Sequence, residues 1–278
     1  MPTPAVAAFR ALHTAGCFLL PNPWDRGSAW ALHSLGYRAL ATTSSGAAFA
    51  RALPDRVDAM PCADVLAHIA EIVAATPLPV NADLQNGYAD EPELVAANVT
   101  ACVATGPAGL SIEDATGDPA APLYPHDLAV ARIRAARAAI DATATDVVLT
   151  ARCEAWLVND PEPARTAIDR LVAFADAGAD CLYAPGVVDP DIIAAIVRAV
   201  APRPVNVLMS APVPGLGLAR LAELGVRRVS LGSALARVAW GAFLRAARGL
   251  ADTGDFSVLA GSAPFSELDA LFAGRIKQ

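Results

Sequence analysis

Asp83, Glu113 and Arg152 each stand near the end of a β-prone run, in PVNADLQ, GLSIED and VVLTARCE. Side chains on a strand alternate faces, so Asn81, Asp83 and Gln85 share one side. If neighbouring strands carry these runs, Asp83 and Glu113 point into a common cavity. Two buried carboxylates repel unless something neutralises them. A divalent cation is one answer, and the Arg152 guanidinium is the other. The competing reading is a structural Arg–Glu–Asp network that ties the strands together. Ser44-Ser45-Gly46-Ala47 adds a turn with hydroxyls and backbone N–H groups of the kind that bind carboxylates or phosphates. A plain glycine turn would look the same.

The elements that must position these groups recur in a regular pattern. Eight β-prone runs are each followed by an amphipathic stretch. The runs are 17–22, 39–44, 79–85, 109–114, 146–153, 180–184, 204–210 and 227–232. Asp25 opens the first helix and Gly36 closes it. Later helices are expected at 61–75, from Pro92, at 126–140 and at 162–177 with a stop at Gly178. Ile192, Ile193, Ile196 and Val197 line the next, a short helix ends at Gly225, and the eighth runs over 233–249. Proline in a first turn and glycine after a last turn fit helix ends. Eight such units in about 230 residues predict a (β/α)₈ TIM barrel over about 15–250, within one domain spanning 1–278. The extension, about 251–278, carries a further helix over 264–274, for which a swap between subunits and packing on its own barrel are both open. A doubly wound sheet would normally place a glycine-rich phosphate loop after the first strand. The chain has NPWDRGSAW there.

Composition removes several chemistries. The 278 residues carry 21 Lys and Arg against 28 Asp and Glu, for a net charge of −7. Without a basic run, nucleic acid and anionic membranes are not expected partners. Charged residues are 18% and hydrophobic ones 55%, which suits either an oligomer or an alanine-rich surface. Cys17, Cys62, Cys102, Cys153 and Cys181 form no CxxC and suit a reducing cytoplasm. Neither a signal peptide nor a membrane span is expected. The one lysine, Lys277, stands one residue from the end, so no Schiff-base lysine belongs to a core. His13, His33, His68 and His126 form no metal-like pair, which argues against a histidine-ligated zinc.

At NPWDRGSAW, ATTSSGAAFA, PVNADLQNGYAD, GLSIEDATGD and LTARCEAWL the sequence resembles the isocitrate lyase/phosphoenolpyruvate mutase superfamily. GADCLYAPGV and GVRRVSLGSALARVAWGAF extend the likeness over about residues 15–245, in the right order. The resemblance implies a TIM barrel that binds a 2-oxo or enolate carboxylate at Mg²⁺ or Mn²⁺. It implies that Ser45, Gly46 and Ala47 hold the carboxylate with support from Arg152. Asp83, Glu113 and Asp55, with the position of Asn81, would form the metal region. Trp24, Asp83 and Asn206 complete the expected substrate contacts, and Arg152, Asp55 and Glu113 the catalytic set. The aspartate that the resemblance expects at position 81 is asparagine here. The loop 115–125, ATGDPAAPLYP, lacks the KxCGH-type motif of the lyases and the lysine and asparagine of the mutases.

The expected reaction is therefore carbon–carbon bond cleavage or decarboxylation of a small 2-oxo or 2-hydroxy acid of the pyruvate, oxaloacetate or 2-oxoglutarate class. Proton delivery falls to Tyr88, Glu154, Thr116, Asp118 or Tyr124. Cys153, turned to the other face from Arg152, is expected to be buried and inert. Phosphonopyruvate hydrolase or mutase chemistry is one alternative, and a non-catalytic 2-oxo-acid-binding barrel is another. The resemblance also implies a homo-oligomer, a tetramer or a dimer.

Overall fold

A computed structural model describes residues 2–57 and 59–276; Lys277 lies outside that range. Eight short parallel strands form one sheet in the order β1-β8-β7-β6-β5-β4-β3-β2. They are β1 Phe18–Leu20, β2 Leu40–Ala41, β3 Val80–Asp83, β4 Gly109–Glu113, β5 Val148–Arg152, β6 Cys181–Tyr183, β7 Val205–Leu208 and β8 Arg228–Ser230. The Ala41 N–H donates to the Pro21 carbonyl at 3.0 Å, across the gap between β1 and β2. The expected (β/α)₈ barrel is the observed architecture. The strands are shorter than the β-prone runs, most of them at both ends.

Helices surround the sheet: α2 Arg26–Ser34, α3 Ser44–Ala50, α4 Cys62–Val73, α5 Pro92–Ala104, α6 His126–Thr143, α7 Pro163–Asp176, α8 Pro190–Val200, α9 Leu218–Glu223 and α10 Ala234–Thr253. Their apolar faces close over the strands. Val65, Ile69 and Ile72 of α4 and Ile193 and Ile196 of α8 are buried there. Asp25 caps α2 as expected, in a reciprocal capping box with Ser28. The segment 44–50 is a helix rather than a simple turn, because Thr43 caps it by accepting from Gly46 N–H at 3.3 Å.

An N-terminal helix, α1 Pro4–Leu12, was not foreseen. Its signals are legible in retrospect: Thr3 as cap, Pro4 in the first turn, and Val6 and Phe9 three apart. It closes the end of the barrel opposite the mouth. Arg10 pairs there with Asp146 at 2.8 Å and Asp180 at 3.1 Å, residues that precede β5 and β6. Phe9 is fully buried and packs edge-on against His13 and Phe18. A Cβ at Gly109 would lie 2.6 Å from the Phe9 ring and 2.8 Å from Asn81 Oδ1, so only glycine fits this position.

At the other terminus α11 Phe265–Ile276 packs on α2 of its own chain. Trp30 Nε1 donates to the Leu271 carbonyl at 2.8 Å. Phe243, Phe256 and Phe265 in α10 and the segment after it are exposed. Among the described residues no helix is long and apolar enough to cross a membrane.

Candidate active site

The strand ends open onto a cavity of about 1010 Å³ at the barrel mouth. Asn81, Asp83, Glu113 and Arg152 all line it, because the register pairs Asp83 with Ser111 and Glu113 with Arg152 on adjacent strands. The Arg152 guanidinium stands at the centre of an acidic ring. It meets Asp83 Oδ1 at 3.2 Å, Glu113 Oε2 at 3.0 Å and Glu154 Oε1 at 2.8 Å. Tyr183 lies against its face, with the ring centroid 5.0 Å away. Sequence reasoning named Glu154 only as a proton donor. Its place on Arg152 follows from period-two alternation carried past the end of β5, which keeps residue 154 on the side that residue 152 faces.

Three carboxylates share one guanidinium, and the local charges do not balance. Burial pushes the Glu113 carboxyl well above its ordinary value; Arg152 opposes this, while Glu154 and Asp83 push it further. Burial raises Glu154 as well, against the pull of Arg152. For Arg152 itself, burial acts downward, but Glu113, Glu154 and Asp83 outweigh it and hold the guanidinium charged. Burial likewise pushes the Tyr183 phenol up to about 12.

The remaining expected residues divide into two groups. Asp83 Oδ2 accepts from Ser44 N–H at 3.0 Å and from its hydroxyl at 2.8 Å, which docks the start of α3 onto β3. Ser45 donates to Asp55 at 2.6 Å, bringing that exposed acid to the rim. Ser45 and Asp55 line the mouth, whereas Trp24, Gly46 and Ala47 are not among its lining residues. A Cβ on Gly46 would meet Trp24 at 2.9 Å, so Trp24 packs behind the turn. The backbone N–H groups of Gly46 and Ala47 already donate to Thr43. Asn206 lines the cavity with both ends of its amide engaged, by Ser230 at 2.9 Å and Arg228 at 2.9 Å.

Behind the ring lies a support that the sequence did not announce. Asp114 faces outward, accepts from Glu154 N–H at 2.8 Å and pairs with Arg170 of α7 at 2.9 Å. Arg132 of α6 donates to the carbonyls of Asn86, Ala89 and Asp90 and stacks on Tyr124. It thereby holds the loop after β3, where Gln85 and Tyr88 have positive φ. Tyr88 donates to Gln85 at 2.5 Å, and burial raises its phenol, so it stays protonated. Tyr124 donates to Asp90 at 2.5 Å away from the cavity; Thr116 and Asp118 line the rim. Cys153 is buried, and burial holds its thiol well above the ordinary range.

The cavity holds oxygen donors of the kind a divalent cation takes. Asp83, Glu113, Asp55 and the Asn81 amide oxygen are the hard donors that Mg²⁺ or Mn²⁺ takes. Asn81 Oδ1 is buried without a hydrogen-bond partner, and the ring carries surplus negative charge. However, no group of three His, Cys, Asp or Glu among the described residues is arranged to ligate an ion directly. Both Asp83 oxygens are already engaged. Asp83, Asn81, Glu113 and Asp55, the expected metal region, all line the cavity. The residues fit a hydrated ion reached through water, and Asn81 is the side chain with an oxygen to spare.

The sequence profile of the phosphoenolpyruvate phosphomutase family matches residues 9–251. The chain belongs to the phosphoenolpyruvate mutase/isocitrate lyase superfamily. A Burkholderia cenocepacia protein, provisionally assigned as a lyase/mutase, superimposes with a TM-score of 0.92 at 48% identity, over 97% of this chain and 95% of that one. An uncharacterised Mycobacterium tuberculosis protein is 37% identical over 264 residues, 95% of each chain. Oxaloacetate acetylhydrolase in complex with its product oxalate superimposes with a TM-score of 0.87 at 25% identity, over 99% of this chain and 96% of that one. Enzymes of this superfamily are lyases and mutases, and its related members act on small oxo acids.

Proposed function

We propose that the chain is a carbon–carbon bond lyase or decarboxylase acting on a small 2-oxo acid or its 2-hydroxy precursor. The observation that carries this reading is the Arg152 guanidinium held at the barrel mouth by Asp83, Glu113 and Glu154. The similarity to an oxaloacetate-cleaving enzyme supports it. Arg152 orients the substrate carboxylate and 2-oxo group, and Ser45 at the start of α3 completes that contact. Asp83 and Glu154 fix the guanidinium in one pose, which keeps the positive charge where negative charge develops as the bond breaks. Glu113, whose carboxyl burial raises and which lines the mouth, is the candidate proton donor to the carbon released as an enolate. Asp83, Glu113 and Asp55 would hold Mg²⁺ or Mn²⁺ through water, together with the unpartnered Asn81 amide oxygen. When bound, the ion supplies further positive charge beside the developing oxyanion.

Phosphorus–carbon chemistry is the weaker reading. The loop at 115–125 offers no lysine to a phosphoryl group. A non-catalytic barrel remains the alternative outcome of the same experiment. We infer a homo-oligomer from the exposed Phe243, Phe256 and Phe265, and light scattering at micromolar concentration checks it. The five unpaired thiols are consistent with a cytoplasmic setting.

The test is a panel of 2-oxo and 2-hydroxy acids with Mg²⁺, followed by product analysis and by thermal shift. Cleavage by the wild type that is lost in Arg152→Ala supports the assignment. Turnover and binding that survive Arg152→Ala overturn it, and phosphate release from phosphonopyruvate replaces it with the second reading. Ligand-dependent stabilisation without turnover of any acid identifies the non-catalytic barrel.

A further inference from the structure

A second guanidinium lines the same cavity. Arg228 projects inward from β8 and is almost fully buried. Its nitrogens reach Asn206 Oδ1 at 2.9 Å, Thr150 Oγ1 at 3.0 Å and His13 Nε2 at 3.3 Å. None of these partners carries negative charge. His13 Nδ1 is bonded to the Phe9 carbonyl at 2.8 Å, so Nε2 is the lone-pair side that faces Arg228. Burial and Arg228 together hold the His13 imidazole down to about 3, so this neighbour stays neutral. No carboxylate of the described residues lies within ion-pair distance of Arg228. A buried charge without a counter-charge is costly, and a structural tie between strands could have been built from neutral groups.

The two cationic groups thus differ in what they lack. Arg152 has a surplus of acids, and Arg228 has none. We propose that Arg228 is the specificity-determining contact of the site: it takes the distal carboxylate of a substrate whose 2-oxo end lies at Arg152, which selects 2-oxo dicarboxylates over 2-oxo monocarboxylates. The assignment rests on the 2-oxo-acid reading of the mouth given above. Asn206 is a positioning residue in it, since its amide accepts from Arg228 and donates to Ser230 at 2.9 Å.

Binding constants of oxaloacetate and 2-oxoglutarate, set against those of pyruvate and 2-oxobutanoate, test this by calorimetry in the presence of Mg²⁺. Wild type, Arg228→Met and Asn206→Asp are compared. The Asp variant is nearly isosteric and places a resident carboxylate on the Arg228 guanidinium, so it keeps the packing while removing the vacancy for an anion. Both variants are expected to weaken the dicarboxylates by roughly tenfold or more, with the monocarboxylates changed by less than about threefold. Equal loss for both acid classes, or unchanged dicarboxylate affinity in Asn206→Asp, overturns the proposal. Should Arg228→Met fail to fold, the Asn206→Asp arm decides alone. Monocarboxylates that bind the wild type as tightly as dicarboxylates overturn the selectivity while leaving the 2-oxo-acid reading intact. If no acid of either class binds the wild type, that reading fails and this one falls with it.

Discussion

The mouth of the cavity and its deeper end beside α1 solve opposite electrostatic problems. On β3 to β5 one guanidinium must satisfy Asp83, Glu113 and Glu154. On β5 to β8 one guanidinium is met by an amide, a hydroxyl and a neutral imidazole. Arg228 is almost fully buried, and Arg152 with its acids is mostly buried, so solvent screens both imbalances only in part. A fold held only for stability would pair these charges internally. Their separation across one cavity leaves an acidic side that wants a proton or cation and a basic side that wants an anion. A ligand bearing both kinds of contact closes the circuit.

The largest effect expected is at the acidic side. Arg152→Met leaves three buried carboxylates facing one another and should cost about 3–5 kcal/mol at about pH 7. That loss should shrink toward about pH 5, as the carboxylates take up protons. Denaturant melts at the two pH values measure it. A pH-independent loss would mean that the ring is not electrostatically coupled.

Next in size is Glu113→Gln. Burial raises the Glu113 carboxyl, so its folded form prefers the proton. The associated stability is present below the ordinary value of 4.5 and is lost as pH rises through the raised one. Gln, which stays neutral, should flatten that alkaline decline in a melt series. It should also lower turnover by about 10²-fold or more, as expected of a removed proton donor.

Arg228→Met should cost less, about 1–3 kcal/mol, because it abandons neutral acceptors rather than charges. Its loss should vary little between about pH 5 and about pH 7. A cost equal to that of Arg152→Met would erase the distinction between the two ends. A smaller, sharpening effect belongs to Asn81→Asp. A charged oxygen at that position should tighten Mg²⁺ binding by roughly tenfold, read by calorimetry without substrate. The smallest is Ser45→Ala, which removes an exposed hydrogen bond to Asp55 and should change stability by less than about 1 kcal/mol.

The acidic end was legible in the sequence, and the basic end was not. Asp83, Glu113 and Arg152 sit at strand ends with the period-two spacing that sends them inward, so local pattern alone brings them together. Arg228 follows Arg227 in a run that reads as ordinary strand. Its partners Thr150, Asn206 and His13 come from three distant segments, and only the closed barrel unites them. Asp114 and Arg170 show the same limit: alternation says that residue 114 faces outward, but the cation it meets is 56 residues away. The turn at 44–47 was placed correctly, but its backbone donors were taken to be free. The capping role of Thr43 was visible as a residue type, and the hydrogen bonds it consumes were not. The N-terminal helix was missed because it precedes the first strand, outside the repeating pattern that organised the reading.

That helix has a kinetic consequence. With Phe9 wedged beneath Gly109 and Arg10 fastened to Asp146 and Asp180, the barrel is a cul-de-sac with its entrance at the strand ends. Reactants and fragments must pass through the same doorway. For the cleavage proposed above, the piece seated deeper would wait for the outer piece to depart, and the architecture would set the order of release.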